Sequence, residues 1–111
     1  MKVSRLKGKA LDWAVAKCEE LTWLYEDLNK PPPPGAAFST DWSLAGPIID
    51  REKLEITPWG VHGEWRARDF YEPSPGVPCA EQFGPTPLIA AMRCLVASKF
   101  GDEIHVPEEL K

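Results

Sequence analysis

The chain has 111 residues, 43% hydrophobic and 27% charged, values of a single ordinary globular domain with a modest core. Its net charge of -4 speaks against non-specific nucleic-acid binding, which needs a basic footprint that displaces counterions. The three cysteines, Cys18, Cys79 and Cys94, are odd in number and lack metal-type spacing, and no apolar stretch resembles a leader or a membrane span, so a reducing, cytoplasmic setting is expected.

Twelve prolines point to long, stiff loops between few elements. The expectation is one small α+β domain over residues 1–111, with two main helices packed on a short antiparallel sheet. The first nine residues carry Lys2, Arg5, Lys7 and Lys9 and no acid, whereas the tail from 102 to 111 carries Asp102, Glu103, Glu108 and Glu109 against Lys111. Solvated ends account for both. The alternative, the basic start of one subunit against the acidic end of another, rests on exposed pairs that are worth little.

Leu11, Ala14, Val15, Cys18, Leu21 and Thr22 recur at helical spacing and predict a first helix from about Ala10 to Leu21, with Asp12 near its start. Trp13, and Leu24 if the helix continues, fall off that stripe. They would lie against a loop of their own subunit or anchor an interface, where tryptophan is enriched. Pro31 to Gly35 must be extended or turned, and it reads as a stiff internal connector rather than an SH3-type ligand. From Ser39 to Glu52, capping residues and then Gly46-Pro47 predict two short helical pieces. Leu54–Thr57 and Gly63–Phe70 alternate apolar and polar residues and predict an antiparallel hairpin. A third strand is expected from Tyr71 onward or from Leu21 to Tyr25, with Pro73, Pro75 and Pro78 making the stretch to Cys79 a loop.

The last helix has both ends marked. Thr86 can cap it, Pro87 suits its first position, and Gly101 can take the left-handed conformation that closes it, with Lys99 in the last turn. Leu88, Ile89, Met92, Leu95, Val96 and Phe100 form a wide apolar face, while Ala90, Cys94 and Ala97 keep the other side small. Such a helix is the centre of a core, or one that also meets a second copy.

Three segments, Ala10 to Lys17, Ser39 to Glu52 and Gly84 to Leu110, give the chain a resemblance over close to half its length: it resembles the NinX-like phage proteins, encoded in phage and prophage accessory regions. The resemblance implies a phage origin and a bacterial host cell, and brings no activity with it. The chain departs from the family at Pro31 to Pro34, in place of a polar loop, and between Trp59 and Phe83.

No phosphate-cradling, dinucleotide, His-Glu-x-x-His or Cys-x-x-Cys motif is present, so no cofactor and no metal are expected. His62 and His105 are far apart in sequence, and Cys79 has no neighbour that would activate it. The candidate site is Thr40, Asp41 and Trp42, joined by Trp65 and Tyr71 and by Thr86 at the entry to the last helix. Tryptophan offers a stacking face, Asp41 an acceptor, and the helix entry free N–H groups, parts that suit a nucleotide-like ligand. Each part also has a plain structural use: Asp41 as a cap, Trp42 and Trp65 as core. Two classes of function follow: a non-enzymatic protein that binds a host macromolecule, or a binder that sequesters a nucleotide-like molecule, with an enzyme last. In either case a homodimer is expected from the apolar last helix and Trp13.

Overall fold

Three antiparallel strands lie in the order β1-β2-β3: β1 Leu54–Trp59, β2 Glu64–Asp69 and β3 Glu81–Gly84. The helices are α1 Gly8–Cys18, α2 Trp42–Glu52 and α3 Pro87–Phe100, preceded by a short 3-10 turn at Val3–Arg5. The computed structural model describes residues 1–19, 37–60, 63–69, 80–106 and 108. Pro31–Gly35, the loop from Pro73 to Cys79, His62, Tyr71 and Leu24 lie outside the described residues. The class is α+β as expected.

The predicted hairpin is present, with Leu54 opposite Asp69 and Trp59 opposite Glu64. The third strand of the sheet is Glu81–Gly84, which pairs with β2, Trp65 opposite Gly84 and Arg68 opposite Glu81; Leu21 to Tyr25 and the residues from Tyr71 to Cys79, where a strand was expected, lie outside the described residues. Glu-Gln-Phe-Gly is short and poor in β-branched residues, so context rather than propensity makes it a strand.

Helix α3 is the hub. It packs on all three strands, on α1 and α2, and on the 3-10 turn. Met92, Leu95, Val96 and Cys94 are fully buried along it. Thr86 accepts the Ile89 N–H at 3.1 Å, Pro87 occupies the first turn, and Gly101 closes the helix at φ 84°, donating to the Ala97 carbonyl at 2.9 Å. Gly84 lets β3 approach this helix: a Cβ there would stand 2.8 Å from the Ala90 nitrogen. Arg93 fastens the layer, donating to the Leu6 carbonyl and the Phe83 carbonyl at 2.7 Å each.

Helix α2 corrects the expectation of two short pieces, for it runs unbroken through Pro47. Gly46 has no Cβ to crowd the proline ring, and Pro47 is exposed, so water can meet the Ser43 carbonyl that loses its partner. The three helix ends are joined by ions. Arg51 grips both oxygens of Glu19 at 2.7 Å, and Glu52 accepts from Arg51 at 3.0 Å and lies 3.6 Å from Lys99.

The acidic tail and basic start are not simply solvated, nor do they need a second subunit to meet. Lys2 and Glu103 form an antiparallel bridge, the Met1 ammonium donates to the Ile104 carbonyl at 2.9 Å, and Val3 N–H donates to the Asp102 carbonyl at 2.8 Å. Val3, Leu6, Ile104 and Val106 are thereby drawn into the core.

Candidate functional site

Asp41 and Trp42 open α2. One Asp41 carboxylate oxygen accepts the Ser43 N–H at 2.9 Å and the Ser43 hydroxyl at 2.6 Å, bonds that hold its pKa below the usual carboxylate range. The residue is thus engaged as an N-cap. Trp42, the next residue, is 55% exposed, the most exposed large apolar side chain among the described residues. Its ring stands as a ridge between two depressions.

The smaller depression, about 250 Å³, lies between Trp42 and the entry to α3, with Ser39, Thr40, Thr86 and Leu88 in its walls. It brings together Thr40, Trp42 and Thr86 of the expected constellation. Neither lysine nor arginine lines it, and the ionised Asp41 stands next to Trp42. The larger is an open groove of about 740 Å³ between α2 and the start of β1. Trp42, Gly46, Ile49 and Asp50 form one stripe of α2 along it, continued by Lys53 just past the helix end, with Leu54 and Glu55 of β1 completing the lining. Sequence reasoning missed this groove, because dividing the helix at Gly46-Pro47 hid a stripe that is regular only when α2 is continuous.

Trp65 is not part of this surface. It sits in β2 opposite Pro58 and Gly84, half-buried against the core. Tyr71 lies outside the described residues. Trp13 is 3% exposed, so the expected apolar spot on the surface is absent and the indole is buried within its own chain. Lys17 lies over its ring at 5.1 Å and near the Phe100 ring at 5.6 Å. A second exposed indole, Trp59 at 45%, lies at the other end of β1 and lines neither depression; its ring centroid is 5.7 Å from that of Phe83, and the Arg66 guanidinium lies over it at 4.6 Å.

Two of the three cysteines, Cys18 and Cys94, lie within the described residues. Burial, with the nearby Glu19, pushes the Cys18 thiol up to about 12, and Cys94 is buried with its thiol donating to the Ala80 carbonyl at 3.5 Å. Cys79 lies outside the described residues. His105 is exposed. Among the described residues no group of His, Cys, Asp and Glu is placed to hold a metal ion, and no helix is long and apolar enough to cross a membrane.

No curated protein matches the chain. The family model described as bacteriophage P22 NinX matches residues 2–99, from the bridge at Lys2 almost to the end of α3, and the chain belongs to that NinX family of phage proteins.

Proposed function

We propose that this phage protein is a non-enzymatic binding protein that engages a host macromolecule in the bacterial cytoplasm through the surface centred on Trp42. The observation that carries the reading is the exposure of that indole: at 55% it leaves a large apolar ring in water beside an open groove of about 740 Å³. Indoles so placed are typical interface anchors, and an open groove suits a macromolecular partner better than a small molecule, whose surface is usually mostly enclosed.

The second reading, a nucleotide-like ligand, rests on the depression that joins Thr40, Trp42 and Thr86. Its volume of about 250 Å³ is below the usual range for such sites, and its lining holds no cation to pair with a phosphate.

The test is recovery of the tagged protein from bacterial host cells as wild type and as Trp42→Ala, with melting temperature as the folding control. The reading expects a host macromolecule in stoichiometric amount with the wild type, and a loss of about 2 kcal/mol or more of binding, roughly thirtyfold in Kd, in the variant. A small molecule released from the wild type on denaturation, with no macromolecule present, would move the assignment to the second reading.

A further inference from the structure

Arg93 is half-buried, and the two bonds that fasten it, to the Leu6 and Phe83 carbonyls, end on neutral oxygens. Among the described residues no carboxylate pairs with it, and burial, with no nearby anion to oppose it, lowers its pKa from the ordinary arginine value. A cation drawn partly out of water without a counter-charge is costly, and two carbonyls return only part of what hydration gave. The remaining N–H groups of the guanidinium, both on Nη2 and one on Nη1, meet no acceptor among the described residues.

Arg93 lines a depression of about 280 Å³ at the outer edge of β3, between that strand and the 3-10 turn, with Ser4, Phe83, Gly84 and Pro85 in its walls. The carbonyls that Arg93 holds belong to Phe83 itself and to Leu6, two residues past Ser4, so the charged end of the side chain is the part that reaches the walls. Glu64, at the start of β2, lines the same depression. It is exposed and has neither a hydrogen bond nor an ion pair among the described residues. One cation and one anion thus share a small depression without pairing with each other.

That pair of charges discriminates among ligands. A phosphate brings more negative charge than one guanidinium answers, and Glu64 repels it. A plain carboxylate suits Arg93 and is opposed by Glu64, and a plain amine is opposed by Arg93. A molecule that carries both groups at net charge zero satisfies both walls. We infer that the depression binds a free α-amino acid with an apolar side chain, its carboxylate on the open N–H groups of Arg93, its ammonium towards Glu64 and its side chain against Phe83 and Pro85. The volume suits so small a ligand, and the depression shares no lining residue with either of those beside Trp42, so this site stands or falls apart from the reading of that surface.

The probes are L-leucine, 4-methylpentanoate, which lacks its ammonium, and leucinamide, which lacks its carboxylate. Each is titrated into the isotope-labelled chain at pH 7 while the Arg93 Nε–H and Gly84 N–H resonances are followed. L-leucine is expected to shift both saturably with a Kd of about 1 mM or below, and to bind about tenfold or more tighter than either of the other two. Glu64→Gln, at an exposed side chain without partners in the fold, is expected to abolish the advantage of L-leucine over 4-methylpentanoate, and Trp42→Ala to leave it within about twofold. Arg93→Lys keeps the charge and loses the fork, and is expected to weaken L-leucine about tenfold. Should that variant fail to fold for want of its two carbonyl bonds, Glu64→Gln and the three probes decide alone. The absence of a saturable shift with L-leucine overturns the inference. Equal affinity for L-leucine and either of the other probes, or an advantage that survives Glu64→Gln, overturns it too, since the ligand would then be read by one charge and not by the pair.

Discussion

The dipeptide Asp-Trp occurs twice, as Asp12-Trp13 and as Asp41-Trp42, and the fold gives the two copies opposite fates. Asp12 lies within α1 and is buried, accepting the Ser39 N–H at 2.8 Å, while Asp41 sits just outside α2 and caps it. Burial raises the Asp12 pKa more than the Ser39 bonds lower it, so the folded protein holds this proton more tightly than the unfolded chain. The stability it contributes is full below the ordinary carboxyl value of about 3.9 and is lost as pH rises through the raised folded value. Asp12→Asn should remove that part of the pH dependence and gain on the wild type between about pH 4 and 7 in urea melts. Asp12→Ala leaves the buried Ser39 N–H without its acceptor and should cost about 1–3 kcal/mol at neutral pH. At this scale the sequence was only partly legible. The cap role of Asp41 was open to reading because aspartate is a favoured residue just before a helical turn. The burial of Trp13 was not, because it lies off the apolar stripe of α1 and its cover comes from the packed fold rather than from its neighbours in sequence.

Elements with local punctuation were the readable ones. Thr86, Pro87 and Gly101 mark α3 by their own conformational preferences, and the alternation of β1 and β2 reports a half-buried sheet. Helix α2 was misread because Gly46-Pro47 is local stop chemistry, overridden here by the Asp41 cap and by the burial of Ala45 and Ile48 on one face. Strand β3 was missed because its reason is not local. Gly84 lets the strand close on α3, and only the packed structure shows that contact. Gly84→Ala is expected to lose about 1–3 kcal/mol, since the new methyl would stand 2.8 Å from the Ala90 nitrogen and 2.9 Å from the Ile89 Cγ2, and backbone cannot yield as a side chain does. A shift of the urea midpoint at constant slope would show that the loss is one of packing.

For the whole molecule, the segment after α3 is a working part of the core. Ile104 and Val106 are buried, and the Met1 ammonium and Ile104 N–H tie the two ends of the described fold together. Truncation after Gly101 should therefore lower stability by about 3 kcal/mol or more, a large share of what a domain of this size has. Equilibrium unfolding of the shortened chain checks this, and an unchanged midpoint would mean that the tail only rests on the surface. The candidate site belongs to this scale as well. Thr40, Trp42 and Thr86 meet because α2 and α3 begin side by side, but the larger groove exists only because α2 stands away from β1, a distance no residue pattern records.

That every layer packs on α3, which spans residues 87–100, has a consequence for how the protein is made. During synthesis α1 leaves the ribosome with Leu11 and Val15 turned towards a helix that does not yet exist. At roughly 5–20 residues per second the wait lasts several seconds. Neither α1 nor the β1–β2 hairpin can bury its apolar face until then, so the nascent chain remains a client for chaperones until α3 has emerged, and products ending before α3 should be cleared by proteolysis rather than accumulate as a smaller domain.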